Sequence, residues 1–312
     1  MIRVNSNYLT VRRMVLENAV AVSSGKGGAG KTTLAAHLAG HVAAEEGRRV
    51  LLVDLDPHGT VSLDLGFWGS AGFDHGEALA AAILGGAPLR APPLRDVRPG
   101  LDVVPSGDYT LDVALALDGP ADALATALGE LAAGYDLVIL DTPPATGVEA
   151  RLALAAAHGV VVPTVADDSG RRAIQLLART LDAVREVNPA LTVLGAVLFR
   201  VAAAATRVAA KAVKNLGAFE DLRVFEPPIR DVYALAWELR AAGRLASEYV
   251  KEARAAQASR LRALSSRDVS GARRWEAPDP RRVQRLAGDY QLVCAQIVAA
   301  TWDLMGVDRP SP

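Results

Sequence analysis

The sequence predicts an α/β fold: a single doubly wound parallel-sheet domain with a helical C-terminal extension. Short apolar runs rich in β-branched residues alternate with helical stretches from residue 18 to about 230. A glycine-rich turn follows the first run, and two later runs end in aspartate. After about residue 245 the alternation gives way to charged and amphipathic helical patterns. Near-continuous apolar strands separated by helices fit a parallel sheet covered on both faces.

Taken in order, Asn18–Ser24 is the first strand, and Thr32–Ala44 is the helix beyond the glycine-rich turn. Arg49–Asp54 is an apolar run ending in acid. Residues 66–100 are rich in glycine and proline, with a short helical stretch near Gly76–Leu84. Leu101–Pro105 reads as a strand, Ala121–Ala133 as a helix, and Tyr135–Asp141 as a second apolar run ending in acid. Strands at Gly159–Pro163 and Leu191–Phe199 flank a helix over Arg171–Val187. A helix over Ala205–Leu216 and a strand at Arg223–Phe225 close the series before Pro227 and Pro228. Glu248–Leu264 is a charged helix, Ser265–Pro280 a polar linker, and Arg281–Met305 an amphipathic helix. The last places Val283, Leu286, Tyr290, Val293, Ile297 and Trp302 near one face. Its basic residues cluster at the start and do not line a face, so it is expected to pack on the domain or a partner subunit, not on a membrane surface. The chain thus divides into a tail (1–17), an α/β domain (18–245) and a helical extension (246–312).

At 312 residues and 51% hydrophobic, the chain can bury a sizeable core. The net charge of −1 hides an asymmetry, because residues 200–285 hold 18 Lys+Arg against 10 Asp+Glu. Such a stretch fits a polyanion partner and equally fits solvated helix faces. One cysteine, Cys294, excludes an intrachain disulfide or a cysteine metal site and suits a reducing cytoplasm. Met1–Arg13 lacks a signal-peptide core, and no apolar run reaches membrane-span length. A cytoplasmic protein is expected.

Residues 25–32, Gly-Lys-Gly-Gly-Ala-Gly-Lys-Thr, satisfy the phosphate-loop pattern G-x-x-x-x-G-K-[ST] through Gly25, Gly30, Lys31 and Thr32. The chain has only five lysines, and two of them, Lys26 and Lys31, sit in this loop. A compact ammonium lies against a phosphate as a point charge where a guanidinium would not fit. A chance glycine turn is the competing reading, but strand, loop and helix follow in the order that lets backbone N–H groups and a helix N-terminus face an anion. A P-loop NTPase domain is therefore expected. Asp141 ends a hydrophobic strand at the place of a Walker-B aspartate, and Asp54 and Asp56 end the strand after the first helix. Any one of them is as readily a cap or turn residue, but the carboxyl ends of parallel strands are where such sheets bind ligands.

These segments together resemble the ParA/MinD group of deviant-Walker ATPases, and most closely its ParA partition ATPases. The matching residues are Lys26–Thr33, Val50–Pro57, Leu101–Ser106 and Tyr135–Pro144, with Gly159–Pro163 and Asn188-Pro189 fitting as well. The resemblance covers roughly residues 18–245 and implies ATP and Mg²⁺ as cofactors. Gly27, Gly28, Ala29 and Gly30 would cradle phosphates, Lys31 would bind the β- and γ-phosphates, and Thr33 the α-phosphate. Thr32 would ligate Mg²⁺, with Asp54 and Asp141 in its shell, and Asp56 would position the attacking water. Lys26 would reach the partner's ATP across a sandwich dimer. Adenine would lie near Glu226–Ile229, including Pro227 and Pro228.

The same resemblance implies an ATP-dependent homodimer that binds nonspecific DNA, is associated with the nucleoid, and is released when a ParB-like centromere-binding partner stimulates hydrolysis. Arg200, Arg207, Lys211, Lys214, Arg223 and Arg230 are the candidate DNA phosphate contacts, each also explicable as a solvated surface charge. The chain departs from the family at His58, where glutamine is usual, and at Phe199–Thr206, which lacks the usual polar residues. The tail beyond 245 carries no recognised motif, and, with no helix-turn-helix pattern read ahead of the loop, autorepression through specific operator binding is not expected. The alternative is a MinD-like membrane-cycling ATPase that positions division or other machinery. A cluster-carrying relative would need paired cysteines, and a non-catalytic adaptor would not need the intact acids.

Overall fold

The computed structural model describes residues 15–116, 120–202, 222–265 and 279–307. Among them, eight strands form one sheet in the order β3-β4-β2-β5-β1-β6-β7-β8. The strands are β1 (Leu16–Val22), β2 (Val50–Asp54), β3 (Leu94–Arg98), β4 (Leu101–Val104), β5 (Leu137–Asp141), β6 (Ala157–Val165), β7 (Thr192–Phe199) and β8 (Val224–Phe225). Every neighbouring pair is parallel except β3 with β4. The helices are α1 (Lys31–Glu45), α2 (Thr60–Asp64), α3 (Glu77–Gly85), α4 (Thr110–Ala116), α5 (Ala123–Ala132), α6 (Val148–Ala156), α7 (Asp168–Arg185), α8 (Tyr233–Ala242), α9 (Ala246–Ser265) and α10 (Pro280–Met305).

The central strands are buried along their whole length and deal alternate residues to two cores. Val138 and Leu140 join α3, α5, α6 and α7 on one side, with Leu79, Leu124, Leu128, Leu154 and Leu177. Leu137 and Ile139 join α1, α8 and α10 on the other, with Leu34, Leu38, Leu239, Val293 and Trp302. The stripe expected on the last helix is this second face: Val283, Leu286, Tyr290, Val293, Ile297 and Trp302 are all buried. The helix therefore packs on the domain and covers the sheet beside α1.

The strands and helices expected from the sequence are present where the structure describes them. The helix over Ala205–Leu216 and most of the polar linker lie outside the described residues. Five elements were not foreseen. β3 is a polar edge strand, Leu-Arg-Asp-Val-Arg, turned back by Pro99-Gly100 inside the glycine- and proline-rich stretch. The helices α2, α4 and α6 are short, and α8 opens without a side-chain cap.

Candidate functional site

β1 ends at Val22, and residues 23–30 turn into α1 at the carboxyl edge of the sheet. Gly30 stands at φ 92°, in the left-handed region open to glycine. A Cβ there would come within 2.5 Å of the Phe199 ring. No side chain caps α1 and no acid sits in its first turn, which leaves its N–H groups turned outward for an anion. By contrast, α7 and α10 are capped by Asp167 and Asp279.

The acids converge on this loop. Val22, Asp141 and Asp54 are register neighbours at the ends of β1, β5 and β2. Asp141 is fully buried, and neither of its carboxylate oxygens has a hydrogen-bond partner. Burial pushes its pKa up to about 7, opposed by the nearby Thr32 hydroxyl and the Lys31 charge. Burial and the neighbouring Asp141 also hold the Asp54 carboxyl well above the usual range. Asp54 accepts N–H groups from Asp56 at 2.9 Å and Val61 at 3.3 Å. Lys31 is buried at the same place, its pKa lowered by desolvation and pulled back up by Asp141 and Asp56.

A divalent cation fits this arrangement, because the unpartnered Asp141 carboxylate lies beside the paired Asp54 and the Thr32 hydroxyl. Among the described residues no three His, Cys, Asp or Glu side chains form a metal cage. That is the pattern for Mg²⁺, which takes few protein ligands and completes its octahedron with phosphate and water.

Asp56 keeps a partly buried carboxylate whose Oδ1 accepts the His58 N–H at 3.1 Å and meets His58 Nδ1 at 2.7 Å. The histidine that departs from the family pattern thus holds Asp56 directly. Lys26 Nζ donates to Ser169 Oγ at 2.5 Å, and Ser169 in turn donates to Asp167. Thr60 bonds Thr32 at 3.2 Å, and Thr33 donates to Asp64 Oδ2 at 3.2 Å. Asp64 also accepts Arg240 Nε at 2.5 Å, which links the loop through α2 to α8. Glu149, buried in the first turn of α6, sits close enough to Asp56 to feel its charge. Asp64, Glu149, Ser169 and Arg240 escaped the sequence reading, since none lies in a motif and only the fold brings them here.

Beside the loop opens a cavity of about 270 Å³. Gly28, Gly30 and Thr33 form one side, and Phe199, Ile229, Val232, Leu286 and Tyr290 form its apolar walls. Tyr233 and Trp237 stand largely exposed at its mouth. Its wall is built by Ile229–Tyr233, so the segment just after Pro227 and Pro228 faces the space rather than the prolines themselves.

Of the basic candidates, Arg207, Lys211 and Lys214 lie outside the described residues. Arg200 is exposed, with φ 58°, and Arg223 lies over the Phe225 ring at 4.9 Å. Arg230 is engaged within the protein: its Nε and Nη2 donate to Asp289 at 2.5 and 2.6 Å. A guanidinium committed to a buried carboxylate is a poor phosphate contact, so the structure removes Arg230 from the free surface charges.

A phosphate loop with a second lysine, feeding an uncapped helix and facing two strand-end aspartates, defines a deviant-Walker P-loop nucleotide-binding protein. The family model AAA_31, an AAA domain, matches residues 17–193, more than half of the chain. The chromosome-partitioning ATPase Soj of Thermus thermophilus is 40% identical over 177 residues, which are 56% of this chain and 66% of Soj. The chromosome partitioning protein ParA of Caulobacter vibrioides is 35% identical over 185 residues, 57% of this chain and 68% of its own, and the chain thus belongs to the ParA-type partition ATPase family. A cobyrinic acid a,c-diamide synthase from Mycobacterium smegmatis, with bound ATP analogue and magnesium, superimposes with a TM-score of 0.60 at 31% identity, over 72% of this chain and 92% of its own. A variant of Cyanothece McdA in complex with ATP shares the fold over 96% of this chain and 100% of its own, with a TM-score of 0.69 at 18% identity.

Proposed function

We propose that this protein is an ATP-driven partition ATPase that moves DNA cargo by switching between dimeric and monomeric states. The observation that carries the reading is the pair Asp54 and Asp141, in register beside buried Lys31, with both Asp141 oxygens unpartnered at an uncapped helix N-terminus. The triphosphate lies along Gly27–Gly30, with Lys31 on its β- and γ-phosphates and Thr33 turned from Asp64 to the α-phosphate. Thr32, with Asp54 and Asp141 close by, would hold a Mg²⁺ ion, which would supply charge neutralisation. Asp56, steadied by His58, orients a water whose oxygen bonds to the γ-phosphorus as the bond to the β–γ bridging oxygen breaks. ADP and phosphate result. Positioning and charge stabilisation are what phosphoryl transfer mainly asks of a protein.

Lys26 exchanges Ser169 for the nucleotide of a partner copy, so that ATP joins two copies. The ATP dimer binds nonspecific duplex DNA, which places it on the nucleoid, and a ParB-like protein triggers hydrolysis and release. Burial of the α10 apolar stripe favours this over a membrane-cycling role, because that face is spent on the domain core.

The test is DNA binding with no nucleotide, with ADP and with ATP-Mg²⁺, run beside anionic liposomes. DNA binding should appear with ATP, weaken steeply with salt, persist in Asp56→Ala and vanish in Lys26→Ala. ATP-dependent liposome binding without DNA binding would sink the partition reading.

A further inference from the structure

The polypeptide beyond residue 245 has no motif of its own, yet α10 reaches the cavity beside the phosphate loop. Leu286 and Tyr290 form part of one wall, facing a space shared with Ile229, Val232 and Phe199. The same helix holds the segment that builds the rest of that wall. Buried Asp289 takes both Nε and Nη2 of Arg230, at 2.5 and 2.6 Å, and the Arg230 N–H at 3.4 Å. Two turns further along, Gln296 accepts the Glu226 N–H at 3.3 Å and donates from Nε2 to the Glu226 carbonyl. Residues 226–230 are therefore pinned at both ends to one rigid helix. A paired, desolvated carboxylate is costly to leave unpaired, so the Asp289 clasp keeps this segment in one place.

The geometry points to α10 as the element that positions the nucleoside pocket. Asp289 and Gln296 set how far Ile229–Val232 stand from the phosphate loop, and so which base the cavity accepts. Neither residue lines the cavity, and both are positioning residues. The inference rests on the reading of residues 25–32 as the ATP site. It gives the C-terminal extension a task in nucleotide selection.

Equilibrium binding of Mg-ATP, Mg-GTP and inorganic tripolyphosphate to the full chain tests it, with Asp289→Asn, Gln296→Ala and the double variant. Tripolyphosphate fills only the loop and ignores the nucleoside pocket. Asp289→Asn should weaken ATP about ten-fold and shrink the preference for ATP over GTP, with tripolyphosphate held within about two-fold of wild type. Gln296 is partly exposed, so Gln296→Ala answers the question even where Asp289→Asn fails to fold, with a shift of about three-fold in ATP alone. Equal weakening of ATP and tripolyphosphate, or unchanged ATP affinity in the double variant, overturns the proposal. A wild-type chain that binds neither ligand overturns the ATP-site reading and the proposal with it.

Discussion

Asp141 shows how the site trades stability for function. Its carboxylate is buried without a hydrogen-bond partner, next to a second buried acid in register on β2. Removing a charge from such a place relieves desolvation and repulsion. Asp141→Asn should therefore raise the stability of the nucleotide-free protein by about 1 kcal/mol in urea unfolding, while Mg²⁺-dependent ATP hydrolysis falls at least about a hundred-fold. A destabilised variant with normal hydrolysis would contradict this role. Its place was legible in the sequence, because an apolar strand of a parallel sheet that ends in Asp sets that acid at the carboxyl edge, beside the phosphate loop. Asp64 was not legible. Leu-Asp-Leu-Gly after the Asp-Pro segment carries no period or motif, and its meaning arises only when α8 brings Arg240 to it.

At the scale of elements, His37 ties the helix of the phosphate loop to both C-terminal helices. Its Nδ1 meets the Thr33 carbonyl at 2.8 Å, its Nε2 accepts the Ala246 N–H at 3.1 Å, and its ring stacks on Tyr290 at 3.7 Å. An Nε2 that accepts a bond must be unprotonated, and burial lowers the His37 pKa below its ordinary value. In the unfolded chain the imidazole takes a proton near pH 6.5, and in the folded chain only at lower pH. The unfolded state thus binds more protons between those values. His37's contribution is complete above about pH 6.5 and is lost as pH falls below it. His37→Gln should cost about 2 kcal/mol at pH 8 and flatten the fall in stability between pH 7 and pH 5, as read by chemical unfolding at each pH. The helices α1, α5, α7, α9 and α10 were readable from their length and spacing. β3 was hidden because an edge strand with Arg95, Asp96 and Arg98 has no apolar alternation, and its place comes from pairing with β4 and from Arg98. That guanidinium reaches Glu248 on α9 at 2.5 Å and the carbonyls of Leu65 and Gly243 at 3.2 and 2.8 Å.

Across the whole molecule, the sheet is closed by two helical layers, and the second is unfinished without α10. Val283, Leu286, Tyr290, Val293, Ile297, Val298 and Trp302 all enter the core shared with α1 and the strands. Each large side chain is worth about 1.5–3 kcal/mol on burial, so together they are comparable to the roughly 5–15 kcal/mol that keeps a domain folded. A chain ending at residue 278 should lose its cooperative thermal transition and come out insoluble. A soluble truncated chain with a sharp transition would show the α/β part to be self-sufficient. The doubly wound layout was visible in the order of apolar runs. The merging of the last helix with the core was not, since an amphipathic stripe says that a face is covered but not by what. The margins of the sheet carry a different consequence. β8 is two residues long, and β3 at the opposite margin runs antiparallel with arginines and an aspartate along it. Among the described residues neither margin offers the long, flat, apolar ladder on which foreign strands accrete, so the open edges of the sheet have little to seed a fibril.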